Sequence, residues 1–210
     1  MRVILHNAVS MDGRTDSFEP DVGLFYEVAR HWDEDATLVG ADTLLAASEE
    51  ISSETAADPS DDRPLLVVVD SRGRIRIWEQ LLRLRHWRGG VALCSASTPE
   101  EHLEYLDVLG VERLAVGADR VDLAAALRWL ADRHGVDTLR VDSGGALNRA
   151  LLRAELVDEV SVLVHPVLVG EAATGLTLEA VQRRRNGTVW LRYALEARCA
   201  RKCVSKRYFP

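Results

Sequence analysis

Two rhythms of apolar residues alternate along the chain. Short aliphatic runs ("RVILHNAV", "ATLVG", "LLVVVD", "VALC", "VERLAVG" and "TLRVD") read as strands. Between them lie segments whose apolar positions return at helical spacing. "DVGLFYEVARHW" places Leu24, Phe25, Val28 and Trp32 on one helical stripe, and "ADTLLAAS", "WEQLLRLRHW" and "DLAAALRWLADRHG" follow the same rule. "STPEEHLEYLDVLG" adds punctuation: Thr98 as cap, Pro99 in the first turn, Glu101 to close a capping box and Gly110 to end the helix. "EEISSETAADPSDDRP" has neither rhythm, and its Ser, Asp, Glu and Pro predict an exposed loop, the least ordered stretch of the chain.

"LLVVVD" has no polar alternation until its final acid, which predicts a central strand covered on both faces and hence helices on both sides of a sheet. The C-terminal part changes character. "ELVDEVSVLVHPVLVG" reads as one long strand, Asn186-Gly187 as a turn, and "TVWLRYALEA" as a strand with Val189, Leu191, Tyr193 and Leu195 on one face. "CVSKRYF" would close the set as its antiparallel partner. The pattern therefore predicts an α/β fold with a mixed, mostly parallel sheet flanked by helices and antiparallel strands at the C-terminus, in one domain over residues 1–210. No internal repeat interrupts it.

Composition narrows the function classes. With 47% hydrophobic and 28% charged residues in 210, the chain can bury a core without metals or disulfides. A net charge of -7, with basic residues dispersed except at Arg183, Arg184 and Arg185, argues against a nucleic-acid surface and makes that triplet a solvated loop or helix end. "MRVILHNAVSMDGRTD" is too short and interrupted for a signal peptide, and no run approaches the roughly 20 apolar residues of a membrane span, so the expectation is a cytoplasmic protein. Cys94, Cys199 and Cys203 lack the spacing of a zinc site and are expected as reduced thiols, with no metal.

Ligands of such sheets bind at the carboxyl ends of the strands. Four turns are placed there: "SMDGRTD", "GADT", "DSRG" and "DSGG". Gly144 and Gly145, between strand and helix, suit a backbone that must approach an anion at a helix N-terminus, or simply a tight turn. Gly40 and Thr43 form a second such start, with Thr43 able to cap or to meet phosphate. Ser71 and Arg72 offer a hydroxyl and a guanidinium suited to a ribose 2′-phosphate, or a turn residue and a solvated charge. Together they suggest a dinucleotide along one sheet edge, although the G-x-G-x-x-G fingerprint is absent. On the first strand, His6 and Asn7 can line a pocket.

"SMDGRTD", "LVGADTLL", "RPLLVVVDSRGRI" and above all "VDSGGALNRALLRAELVDEVSVLVHPVLVG" resemble the riboflavin-biosynthesis pyrimidine reductases of the dihydrofolate-reductase-like superfamily. The resemblance implies a homodimeric, NADPH-dependent reductase of 2,5-diamino-6-ribosylamino-4(3H)-pyrimidinone 5′-phosphate that turns ribose into a ribityl chain. It implies that Gly40, Thr43, Ser71, Gly144 and Gly145 hold the coenzyme, with Arg72 beside them, and that Ser10, Asp12, Arg14 and the acid Asp142 face the substrate. Asp142 would be the catalytic group, stabilising positive charge or relaying a proton at the reacting carbon. Asp12 competes with a plain Asp-Gly turn.

The chain departs from that pattern in three places: it lacks an Asp-Asp-Pro after the Gly-x-x-Thr helix start, Asp142 replaces a glutamate, and Ser143 replaces a glycine. Two other functions stay open on the residues alone. One is a reductase of a pterin or another heterocycle, with Asp21 at the start of the first helix as the gripping carboxylate; the other is a non-catalytic nucleotide-binding module. A flavodoxin-like or purely structural α/β domain would need all four turns to be coincidental.

Overall fold

The computed structural model describes residues 1–47, 63–84, 86–170, 174–185 and 189–195. Most of "EEISSETAADPSDDRP", the Asn186-Gly187 turn, "CVSKRYF", Cys199 and Cys203 lie outside the described residues. The chain divides into two compact units, one formed by Met1–Asn7 with Val22–Leu163, the other by Ala8–Asp21 with the described residues from Val164 onward.

The first unit is built on a seven-stranded sheet of order β5-β4-β3-β2-β6-β1-β7. Its strands are β1 (Arg2–Ser10), β2 (Ala36–Gly40), β3 (Leu65–Val69), β4 (Gly89–Cys94), β5 (Glu112–Ala115), β6 (Thr138–Val141) and β7 (Glu159–His165), with β1 and β7 running past the unit's limits. The ladders β1–β6, β6–β2, β2–β3, β3–β4 and β4–β5 are parallel. The helices are α1 (Val22–Ala29), followed by a 3₁₀ turn at Arg30–Trp32, α2 (Ala41–Ala46), α3 (Trp78–Arg83), α4 (Glu100–Val108), α5 (Leu123–His134) and α6 (Gly145–Arg153).

Successive residues of a strand face opposite sides, so an unbroken apolar strand needs a core on each side. β3 meets that need. Leu65 and Val67 join a core completed by Leu127 and Leu130 of α5 and by Leu147 and Leu151 of α6. Leu66 and Val68 join another, filled by Leu44 of α2, Trp78 and Leu81 of α3 and Leu106 of α4. Helix α5 carries both of its own end signals: Asp122 Oδ1 accepts from Ala125 N at 3.0 Å, and Gly135, at φ 63°, closes the last turn.

Several local expectations are corrected. Thr98 does not cap α4; its hydroxyl accepts from Ser95 N at 2.9 Å and donates to the Ser71 carbonyl at 3.0 Å, because two strand-end turns compete for it. Pro99 is the cap residue, without a side-chain bond, so no capping box forms with Glu101. In the first helix Phe25, Ala29 and Trp32 are buried, whereas Leu24 is 40% exposed. The expected long strand ends at His165 and resumes as β8 (Val167–Leu168), since Pro166 has no N–H to give the ladder. Helix α3 stops at Arg83, four residues before the end of its apolar pattern at Trp87.

The second unit holds a three-stranded antiparallel sheet of order β10-β9-β8, with β9 at Thr174–Arg183 and β10 at Val189–Leu195. Pairing passes from Arg192–Ala180 to Tyr193–Leu178, so Glu179 is the extra residue of a bulge in β9, and its carboxylate lies 3.1 Å from Arg192 Nε. The arginine triplet is exposed, as a solvated charge run should be: Arg183 ends β9, and the Arg184 guanidinium lies 5.2 Å from the Trp190 ring centroid. Val189 is exposed while Leu191 and Tyr193 are half-buried.

No helix among the described residues is long and apolar enough to cross a membrane, and no group of three or more metal-binding side chains occurs among them. Cys94 is buried, and burial, reinforced by nearby Asp70, pushes its thiol up to about 11.

Burial also lowers the proton affinity of His6, His102 and His134 below the usual 6.5, despite carbonyl or carboxylate neighbours that oppose it. The unfolded chain therefore binds more protons than the folded one as pH drops below about 6.5, and stability present above that value is lost toward acid. Urea midpoints are expected to fall from about pH 7 to about pH 5, at up to about 1.4 kcal/mol per pH unit for each histidine. His102→Leu should flatten that slope.

Candidate active site

The first unit carries a cleft of about 480 Å³ at the carboxyl ends of its strands. Its walls come from the turn after β2, the turn after β3, the loop at residues 119–121 and the first turns of α6. Of the six residues expected to hold a coenzyme, Gly40, Ser71 and Arg72 line this cleft, whereas Thr43, Gly144 and Gly145 do not. Ala146 and Leu147, just inside α6, line it in their stead.

Gly40, Thr43, Ser143 and Gly144 form one hydrogen-bonded cluster. Gly40 N donates to Ser143 Oγ at 3.2 Å, Ser143 Oγ and Thr43 Oγ1 are 3.3 Å apart, and Gly144 N donates to Thr43 Oγ1 at 3.2 Å. The cluster joins turns a hundred residues apart in sequence. It also explains Gly40: a Cβ there would lie 2.9 Å from Ser143 Oγ. Gly144 and Gly145 differ, because a Cβ on Gly144 would meet only Thr43 Oγ1 at 4.0 Å and one on Gly145 nothing within 4 Å. Neither has a positive φ, so no demand for glycine comes from the protein itself at these two positions.

Ser71 serves the frame as well as the cleft. Its Oγ accepts from Val121 N at 3.0 Å and so holds the 119–121 loop against the β3 turn, while its carbonyl receives Thr98 Oγ1. Three arginines border the cleft: Arg72, Arg74 and Arg120. Arg74 Nη2 donates to Asp42 Oδ1 at 2.6 Å, and its Nε is buried without a hydrogen-bond partner among the described residues. The sequence reading named only Arg72. "DSRGR" carries Arg74 in plain view, but Arg120 lies in a loop that only the sheet order brings to the cleft.

Asp142 follows β6, with Asp142 N donating to Leu38 O at 3.0 Å. Its side chain is 24% exposed, and Oδ2 receives Arg140 Nη1 at 3.2 Å and the Tyr26 hydroxyl at 3.4 Å. Arg140 itself is buried and donates from Nε to Glu34 Oε1 at 2.7 Å and from Nη2 to Thr37 Oγ1 at 3.2 Å. Sequence reasoning missed both Arg140 and Glu34. The signal for Arg140 was an arginine between Leu139 and Val141 in an otherwise apolar strand.

His6 does not line a pocket. It is fully buried, stacked on Phe25 with ring centroids 4.2 Å apart, and bonded to the Phe25 carbonyl and Ser161 Oγ. Asn7 braces the glycine turn, donating from Nδ2 to the Ser143 carbonyl at 2.8 Å while its Oδ1 accepts from Asn148.

Ser10, Asp12 and Arg14 belong to the second unit, whereas the cleft residues belong to the first. There they form a closed turn: Ser10 N donates to Arg14 O at 2.8 Å and Arg14 N to Ser10 Oγ at 2.9 Å. Asp12 Oδ1 accepts from Val169 N at 3.0 Å, and this bond lowers its proton affinity. The exposed Arg14 side chain lies 3.7 Å from Asp16 and 3.9 Å from Asp12. Asp21, also in the second unit, precedes α1, and its backbone N donates to His165 Nε2 at 2.8 Å.

Comparison with known proteins adds to this geometry. The profile of the RibD C-terminal domain family matches residues 1–199. The chain is 33% identical over 185 residues to the 2,5-diamino-6-ribosylamino-4(3H)-pyrimidinone 5′-phosphate reductase of Archaeoglobus fulgidus, covering 80% of this chain and 81% of that protein. It is 32% identical to the protein of the same name from Methanothermobacter thermautotrophicus, with 80% and 79% covered. Among solved structures, a pyrimidine reductase-like protein from Corynebacterium diphtheriae superposes with a TM-score of 0.63 at 18% identity, covering 93% of this chain and 92% of that one. The riboflavin biosynthesis reductase Rib7 of Saccharomyces cerevisiae gives 0.60 at 19% identity, with 93% and 90% covered.

Proposed function

The chain belongs to the RibD C-terminal domain family and is an oxidoreductase of riboflavin biosynthesis, and from that premise we propose that it reduces 2,5-diamino-6-ribosylamino-4(3H)-pyrimidinone 5′-phosphate with NADPH. The observation that carries the choice of coenzyme is the cleft itself. Arginines 72, 74 and 120 line it together with Ala146 and Leu147 from the first turn of α6, a helix that has no side-chain cap. The residues fit a phosphorylated dinucleotide. The buried Nε of Arg74, without a partner among the described residues, is a donor in want of an acceptor, and Gly144 and Gly145, next in sequence to the lining residue Ala146, leave space that the protein's own packing does not fill.

The bound nicotinamide supplies a hydride. The protein's residues orient both molecules and manage charge at the reacting carbon. Asp142, at the mouth of the β6 turn, is the carboxylate assigned to stabilise positive charge on the opened ribosylamine, with Asn7 and Ser143 fixing the backbone on which it stands. Ser10, Asp12 and Arg14 are assigned to the substrate, Arg14 to its phosphate.

The test is a turnover assay following loss of reduced nicotinamide absorbance with the diaminopyrimidine substrate, its deaminated counterpart and dihydrofolate. Turnover with a ribosylaminopyrimidine phosphate alone is the expected result; turnover only with dihydrofolate would overturn it. Arg72→Ala is expected to raise the NADPH dissociation constant by about tenfold or more, the range of a lost charge-assisted hydrogen bond, with little change for NADH. Tryptophan quenching measures both.

We also propose a homodimer. Strand β7 is at one edge of its sheet, and Val160 and Val162 are 59% and 49% exposed. An edge strand with an apolar exposed face invites a second chain. Sedimentation equilibrium should give twice the chain mass, and Val160→Lys should shift it toward one.

A further inference from the structure

We propose that Arg140 is a positioning residue for the reduction, acting through Asp142; the inference rests on the reading of Asp142 as the acid that faces the substrate. Arg140 is 2% exposed in the middle of β6, where Leu139 and Val141 are wholly buried. A guanidinium in such a place is costly to desolvate, and an apolar residue would serve packing as well or better. Its partners show what the charge does there.

Three of its nitrogens are committed in three directions. Nε donates to Glu34 Oε1 at 2.7 Å, Nη2 to Thr37 Oγ1 at 3.2 Å and Nη1 to Asp142 Oδ2 at 3.2 Å. The planar group is thereby fixed in rotation, and the rings of Tyr26 and Phe25 lie 5.6 and 6.0 Å from its carbon. Glu34 is the enclosed partner, with a side chain 10% exposed, and Asp142 is the open one at 24%. One cation thus serves two carboxylates, and the surplus negative charge stands at the solvent end, on Asp142.

The bonds to Asp142 from Arg140 and Tyr26 both fall on Oδ2. Holding one oxygen of a carboxylate fixes the plane and direction of the other. Oδ1 is thereby restricted in the orientations it presents to the substrate, which is the preorganisation that makes a charged acceptor effective at a reacting carbon. The titratable groups around the guanidinium are Glu34, Asp142, Tyr26 and the buried His6, which stacks on the same Phe25.

The experiment compares Arg140→Lys, Arg140→Met, the double variant Arg140→Met with Glu34→Met, and Asp142→Asn, each with NADPH and the diaminopyrimidine phosphate. Should Arg140→Met fail to fold because Glu34 is left buried without a partner, the double variant removes both charges together. In Arg140→Met or the double variant, kcat is expected to fall by about tenfold to a hundredfold while the coenzyme KM changes less than about twofold. Arg140→Lys should recover part of the rate, since it keeps the charge but not the three-way fork. A folded double variant with wild-type kcat, alongside an inactive Asp142→Asn, would overturn the role of Arg140 and leave that of Asp142 intact. A fully active Asp142→Asn would instead remove the reading on which the inference rests, and the inference with it.

Discussion

Asp142→Asn is expected to lower kcat by about a hundredfold to ten-thousandfold, the range for loss of a positioned acid or base. Asparagine keeps the shape of the side chain and can still accept a bond from Arg140 Nη1, so the backbone of the β6 turn and the neighbouring cleft should be undisturbed. What it removes is the negative charge. The loss corresponds to about 3 to 5 kcal/mol of transition-state stabilisation, far more than a solvated surface carboxylate contributes. NADPH affinity should stay within about twofold, because the cleft walls come from other residues. Steady-state kinetics beside tryptophan quenching separates the two quantities; a variant that lost both would point to a collapsed turn.

The second large effect is expected at Gly117. Its φ of 88° belongs to the left-handed side of the map, and a Cβ there would lie 2.1 Å from the Arg120 carbonyl oxygen and 2.7 Å from Asp122 N. Both obstacles are backbone and cannot swing away. Gly117→Ala must therefore strain the residue or push out the 119–121 loop, at a cost of about 1 to 3 kcal/mol for the backbone conformation before the clash is added. Since Arg120 and Val121 border the cleft, coenzyme affinity should fall with stability, by about tenfold. Gly110→Ala is the control: it has φ 69° but nothing within 4 Å of its would-be Cβ, so it should lose stability without losing affinity. Urea denaturation and NADPH titration of the pair distinguish strain alone from strain that moves the loop.

Much of the architecture was legible because it depends on local chemistry. "LLVVVD" could be read as a doubly covered strand from its composition, and the helix at Leu123–His134 from the helical spacing of its apolar residues. Strand order was not legible: nothing local in "TLRVD" says that β6 inserts between β2 and β1. For the same reason the site was only partly legible. Gly40, Ser71 and Arg72 could be found from the strand-to-helix turns, but the placing of the 119–121 loop and the Glu34–Arg140 pair depend on contacts between residues 50 and 106 positions apart. Thr98 misled for a related reason, since a hydroxyl at a helix start was claimed by a more distant carbonyl.

The place of β6 has a consequence for how the molecule is made. A nascent chain that has emerged only through α5 holds the partners β1 and β2 but not the strand that parts them, and could close that gap only by pairing the two wrongly. The β6 turn can therefore assemble only after the slow closure of a loop more than a hundred residues long. Premature ribosome release anywhere before Thr138 should yield a sticky fragment in which β1 and β2 lack the strand that parts them, with no capacity for turnover.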